Sequence, residues 1–239
     1  MRNHPIEKNF PSITYIANNW PRTKHHLKKF VMSNARKPDF YKLCCSCLKE
    51  LNVHKLGGHK KFLNQLNEIC LKNVNYNTYH DSHHFKSVLV IACLLAKLTN
   101  LNKSDRFLLV VLAVSHDMNH QGRRIVGKPY SQEDRSLEDL KKIFFKKILN
   151  LKKWQRISRI FRSTYFPIKP ENDFDNVEKI LLDADVLGSL MFGMETGMKL
   201  ASRLKHEIRF EDQTRKLFEG FLYVIKNKTL YLDSSKKSC

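Results

Sequence analysis

Residues 104–122 read SDRFLLVVLAVSHDMNHQG, and this stretch decides the fold. Phe107 to Val114 is apolar at every position, so a helix through it has no face suited to water and belongs at the centre of a domain. The run then turns polar at once, with His116 and Asp117 at the end of the buried segment. That is a costly place for ionisable groups unless a metal or another partner compensates them.

The segments on either side extend the pattern. Upstream, Asp81 or Ser82 is positioned to cap a helix running to about Leu98, and the turn Asn100 to Lys103 separates it from the central stretch. His80 and His84 stand four apart, a spacing that puts both side chains on one helical face. Downstream, ILLDADVLGSL (180–190) carries Asp183 and Asp185 in an otherwise apolar helix. Two positions apart they point in different directions, so at least one must be solvated, capped or bound to a cation.

Apolar residues recur at intervals of three and four in most of the remaining chain. Helices are expected over 24–34, 39–51, 60–71, 132–149, 153–164, 174–187, 190–205 and 209–226, with Ser104 capping the central one. Few turns are signalled by 8 Gly and 7 Pro, and no pair of alternating strands is present. The expected architecture is all-α, a helical bundle. Residues 1–72 form an N-terminal arm, irregular to about 22, and a helical extension; 73–232 form the core; 233–239 are a polar tail.

Hydrophobic residues make up 42% of the 239, enough to bury a core and too many for a disordered chain. Lys and Arg outnumber Asp and Glu by 43 to 23, a formal +20, which makes anionic partners such as nucleic acid, acidic membrane or phosphorylated small molecules admissible. Lys141, Lys142, Lys146 and Lys147 recur along one helix and read as an exposed face. The six cysteines are not spaced as a disulfide framework, and Cys44, Cys45 and Cys47 have no second pair at zinc-finger spacing. A reducing, cytoplasmic compartment is expected. The N-terminus MRNHPIEKNFPS has no apolar signal core, and no apolar run approaches the roughly 20 residues needed to span a bilayer.

Four motifs, in order, carry a resemblance. Tyr79-His80-Asp81-Ser82-His83-His84, followed by Val88, resembles the Tyr-His-Asn-x-x-His-x-x-x-Val signature of class I cyclic-nucleotide phosphodiesterases. His116-Asp117-Met118-Asn119-His120-Gln121-Gly122 resembles their His-Asp-x-Asp-His-x-Gly. Ser136-Leu137-Glu138 is similar to their Leu-Glu helix start, and Ala184-Asp185-Val186-Leu187-Gly188 sits where they have Ala-Asp-Leu-Ser-Asn. The chain thus resembles the HD-domain metal-dependent phosphohydrolases, in a reduced phosphodiesterase-like form. Asn119 stands where the family has a second Asp, Asp81 where it has Asn, and Gln213 and Phe218 are not spaced as its nucleobase clamp.

The resemblance implies an HD-type helical bundle in which His84, His116, Asp117 and Asp185 hold a tight Zn, Fe or Mn ion. It further implies that Asp117 bridges to a second ion, Mg or Mn. His80 would be the general acid, and His120 and Glu138 would orient water and ligands. The implied reaction is hydrolysis of a phosphoester of a nucleotide or other small anionic substrate by a hydroxide shared between the two metals. Arg123 and Arg124, directly after the second motif, suit a substrate phosphate. Two other readings use the same residues: a non-catalytic basic module of this fold binding RNA or anionic membrane, and a nuclease whose positive charge guides a polyanion.

Overall fold

The carboxylate of Asp81 accepts the backbone N–H groups of His83 (2.9 Å) and His84 (3.1 Å), and these bonds start the central helix of the computed structural model. The structure describes residues 10–33, 39–53, 59–70, 77–122, 128–144, 151–165, 173–226 and 230–237. Among them are twelve helices and no strand, so the all-α expectation holds. They are α1 (Ile13–Asn18), α2 (Lys24–Val31), α3 (Phe40–Glu50), α4 (His59–Cys70), α5 (Ser82–Thr99), α6 (Lys103–Ser115), α7 (Ser131–Phe144), α8 (Leu151–Ser163), α9 (Asn176–Leu190), α10 (Met194–Ile208), α11 (Thr214–Lys226) and α12 (Asp233–Lys236).

Helix α5 is buried from His84 through Ala96 and packs most extensively against α9 and α6. Its approach to α9 is close. A Cβ added at Gly188 would lie 3.0 Å from Ser87 Oγ, so the missing side chain lets the two helices meet. Helix α6 is buried from Leu109 to Ser115, as its unbroken apolar run requires; Asn102 rather than Ser104 caps it, its side chain accepting from the Asp105 N–H at 2.9 Å. Asp175 caps α9 and receives Glu178 in return, a reciprocal capping box. The basic helix α8 is fastened by arginines: Arg156 to Asp105 and Asp175, Arg159 to Glu178, and Arg162 to Asp134.

Two segments differ from expectation. The stretch read as an irregular arm contains α1, whose Ile13 and Ile16 are fully buried in the main core. Only two apolar anchors in six residues carry its period, and Pro11 and Pro21 flank it, so the pattern was too short to read. Its first turn is held by Glu50, whose carboxylate accepts Thr14 N–H (3.1 Å) and Oγ1–H (2.8 Å). The polar tail contains α12. Farther in, Lys86 of α5 is almost fully buried, and its ammonium donates to the carbonyls of Phe30 and Ser33, both at 2.9 Å, where α2 ends. No helix among the described residues is long and apolar enough to cross a membrane.

Asp183 is the structural member of the Asp183/Asp185 pair. Its two oxygens accept the backbone N–H groups of Tyr231 and Leu232, each at 2.9 Å, and tie the C-terminal segment to α9. Burial pushes its carboxyl up to about 6, against the effect of these bonds. A folded value above the ordinary 3.8 means that the support it gives the fold is complete below 3.8 and is lost as the pH rises through about 6. Asp183→Ala should lower the urea-unfolding midpoint by the equivalent of about 1–3 kcal/mol and remove that pH dependence while leaving bound metal unchanged; an unaltered midpoint would show that the tie contributes nothing.

Candidate metal centre

Three helices deliver the four ligand candidates. His84 comes from the first turn of α5, His116 and Asp117 from the end of α6, and Asp185 from the middle of α9. Asp117 Oδ2 lies 3.1 Å from His84 Nε2 and 3.1 Å from His116 Nε2. Asp185 Oδ1 lies 3.4 Å from the first and 3.7 Å from the second. The four ligand atoms fall within 4.8 Å of one another and could hold a metal ion.

The polar bookkeeping of the cluster fits an ion. His116 Nδ1 faces the Ala113 carbonyl at 3.2 Å, which assigns the ring hydrogen to Nδ1 and leaves a lone pair on Nε2. That Nε2 is buried without a hydrogen-bond partner, although a carboxylate oxygen stands beside it. Nitrogen and oxygen ligands about 2.1 Å from one ion stand roughly 3–3.5 Å from each other; the separations of 3.1, 3.1 and 3.4 Å fall in that range and the fourth, 3.7 Å, lies just beyond it. Burial works to lower the His116 value, yet Asp117 and Asp185 outweigh it and hold the imidazole well above its usual range. Burial likewise raises the Asp117 carboxyl, but His116 and His80 hold it well below. Both directions express the same demand for positive charge, which an ion satisfies directly.

A second group of possible ligands adjoins the first: His80, His120 and Glu207. Glu207, near the end of α10, accepts the backbone N–H groups of Tyr79 and His80 with Oε2 (2.6 and 3.0 Å) and the His80 ring at Nδ1 with Oε1. The other ring nitrogen of His80 faces Asp117 Oδ2 at 3.6 Å. His120 stacks on His80 with centroids 3.7 Å apart. Its Nδ1 accepts the Gly122 N–H at 3.0 Å, so that lone pair is engaged. Gly122 has φ +64°, and a Cβ there would meet Asn77 Oδ1 at 2.6 Å and Glu207 Cγ at 3.3 Å; only glycine fits both the conformation and the space. Asn119 also takes a left-handed backbone (φ 62°), which Asn tolerates better than most residues. Within this group His80 and Glu207 are hydrogen-bonded to each other, while His120 is held by stacking and by Gly122; the three could also hold an ion.

The structure therefore brings together His84, His116, Asp117 and Asp185, with His80 and His120 beside them. It does not bring Glu138, whose side chain is exposed on α7. The acid of that helix that senses the cluster is Glu133: burial, and then Asp117, push it up to about 7, and its Oε2 is buried without a partner. Five residues along a helix rotate a side chain well off its face, so a motif displaced by that much exchanges an exposed acid for a partly buried one. Arg123 and Arg124 lie outside the described residues. Gln213 is exposed, while Phe218 is buried with Leu190 and Ala201, against Gly197 of α10, so these two make no base clamp. Among the described residues the Cys44-Cys45-Cys47 run assembles no metal-ligand group.

Compared with family models, curated proteins and solved structures, the chain matches none. The site is thus read from its own chemistry. Glu207 was not singled out from sequence, but a signal was present. Leu200, Leu204 and Glu207 share one face of α10, so an acid stands on an apolar stripe and must have a buried partner.

The His80–Glu207 pair sets a testable pH response. Burial would lower the His80 value, but Asp117 and Glu207 raise it above 6.5. Burial would raise Glu207, but His80 and the backbone donors hold it at about 2, below 4.5. The raised base contributes stability below 6.5 that is lost as pH rises through its folded value; the depressed acid contributes above 4.5 and is lost as pH falls through about 2. The pair is therefore fully stabilising between 4.5 and 6.5. In chelator-treated protein, Glu207→Gln should lower the His80 pKa followed by NMR. A variant with an unmoved His80 titration would mean that the carboxylate does not hold this ring's proton.

Proposed function

We propose that the protein is a metal-dependent phosphohydrolase, phosphodiesterase-like, that cleaves a phosphoester of a nucleotide or another small phosphorylated substrate. One observation carries the reading: a partly buried imidazole, His80, is held at Nδ1 by Glu207 and turns Nε2 toward Asp117, the carboxylate shared by the metal ligands. A site built only to hold metal has no use for a second imidazole fastened in this way. The order of the four sequence motifs, from Tyr79 to Gly188, supports the same reading.

His84, His116, Asp117 and Asp185 would hold the tighter ion, of the Zn, Fe or Mn type, and Asp117 would reach a second, Mg or Mn, with Glu133 the nearby acid available to orient its water. When bound, such ions supply positive charge to phosphoryl oxygens and make a water acidic enough to attack near neutral pH. The chain's own part is proton transfer and positioning. Glu207 stabilises the imidazolium of His80, and Nε2–H donates its proton to the departing oxygen. His120, stacked on His80 and kept neutral by burial and by the His80 charge, which push it down to about 3, restrains the ring without competing for the proton.

The two histidines four apart should therefore behave differently. His84→Ala should lose metal and phosphoesterase activity together. His80→Ala should keep its metal yet lose about 10²–10⁴-fold in rate, and the loss should shrink on nitrophenyl esters, whose leaving group needs little protonation. Metal analysis and rates on cyclic, mono- and dinucleotides alongside nitrophenyl phosphates make the comparison. A His80→Ala protein without metal, or an equal loss on every leaving group, would make His80 a ligand or a packing residue and defeat the mechanism.

A further inference from the structure

The excess positive charge is unevenly neutralised, and the imbalance marks a surface distinct from the metal centre. On α8 the arginines are engaged: Arg156, Arg159 and Arg162 all pair with carboxylates of α6, α7, α9 or the α9 cap. Between Glu7 and Asp39, by contrast, the sequence holds seven Lys/Arg and no acid. Helix α2 lies inside this stretch. Its Leu27, Phe30 and Val31 are buried, while Arg22, His25, His26, Lys28 and Lys29 are exposed. No ion pair among the described residues engages Arg22, Lys28 or Lys29. The next two acids downstream are engaged elsewhere, Asp39 in capping α3 and Glu50 in holding Thr14.

Basic residues in the last turn of a helix ordinarily answer its free carbonyls. Here Lys86 does so from below: its ammonium donates to the Phe30 and Ser33 carbonyls and, at 3.2 Å, to Ser33 Oγ. Lys28 and Lys29 are thus left to face outward over a buried cation. Flat rings stand among these charges. Tyr15 is 55% exposed and its ring lies 6.2 Å from that of His26, which in turn lies 3.9 Å from His25. Among the described residues of this face no large aliphatic side chain is exposed, so they offer a bilayer no aliphatic anchor.

We infer that the α1–α2 face, built on Tyr15, Arg22, His25, His26, Lys28 and Lys29, binds single-stranded nucleic acid. Unstacked bases lie on the rings and phosphates meet the cations. His84 and Lys86 are two positions apart on α5 and so project to opposite sides of it, which places this face away from the metal centre. It is a docking surface, and it stands whether or not the phosphohydrolase reading holds.

Fluorescence anisotropy with labelled 20-nucleotide U and dT oligomers tests it on the full chain. Affinity should fall with salt. The triple reversal Arg22→Glu, Lys28→Glu, Lys29→Glu should weaken binding at least tenfold and reduce the log–log salt slope by about 2, at roughly 0.7 per phosphate lost. Tyr15→Ala should weaken it about tenfold without changing that slope. The same charge change at exposed Lys60, Lys103 and Lys152 should do much less. The milder Arg22→Gln, Lys28→Gln, Lys29→Gln protein, with circular dichroism matched to the parent, guards against misfolding. Equal losses from the two triple sets, an unaffected Tyr15→Ala protein, or binding to phosphatidylserine vesicles without binding to either oligomer would each overturn the inference.

Discussion

The Oδ2 atom of Asp117 sits 3.1 Å from two imidazole nitrogens and 3.6 Å from a third, at the place where α5, α6 and α9 converge. Removing this carboxylate and its neighbour Asp185 from water is expensive, and bringing the lone pair of His116 Nε2 against them costs more unless positive charge lies between. The surrounding architecture meets that constraint. Gly188 lets α9 close on α5, and the hydroxyl of Tyr79 hydrogen-bonds Ser189 at 2.6 Å while its ring packs over His84. Ala113 fixes the proton of His116 on the far nitrogen. Each of these contacts reduces the freedom of a ligand before any ion arrives, as a preorganised site requires.

The same junction gives neighbouring residues of one type different partners. His84 and His80 lie four residues apart but share no helical face, because His84 is in the first turn of α5 and His80 in the bend before its cap, and their contacts differ. His84 Nε2 is committed to Asp117 and Asp185. His80 uses one nitrogen to reach Glu207 on a different helix and has the other directed at the cluster. The two aspartates of α9 divide in a parallel way, Asp185 turned toward the histidines and Asp183 toward the backbone of the C-terminal segment. Neither division depends on residue type; both follow from which element packs against each side.

What was legible in the sequence was what periodicity and chemistry together dictate locally. The unbroken apolar run of α6 announced its own burial, and the His116-Asp117 pair at its end announced an unmet electrostatic need. The start of α5 was legible because Asp81 is an ordinary cap, whereas α6 is capped by Asn102, two residues before the expected Ser104. What was not legible was set by contacts distant along the chain. Glu207 lies 127 residues from His80. Glu133 rather than Glu138 turns inward because of how α7 is rotated, which no spacing rule fixes. Helix α1 was too short to show a period, and its helicity rests on Glu50 and on a core it joins only in the folded state.

The positive charge thus divides in two: arginines of α8 paired with carboxylates of neighbouring elements, and exposed Arg22, Lys28 and Lys29, which make no ion pair among the described residues. The central claim remains the metal centre. X-ray absorption fine structure on the purified chain loaded with one equivalent of zinc tests it most directly. The account predicts a shell of nitrogen and oxygen near 2.0–2.1 Å, with the outer scattering of two imidazoles, lost in Asp117→Ala. A sulfur shell near 2.3 Å, which would place the ion on cysteine, or a spectrum unchanged by Asp117→Ala, would contradict it.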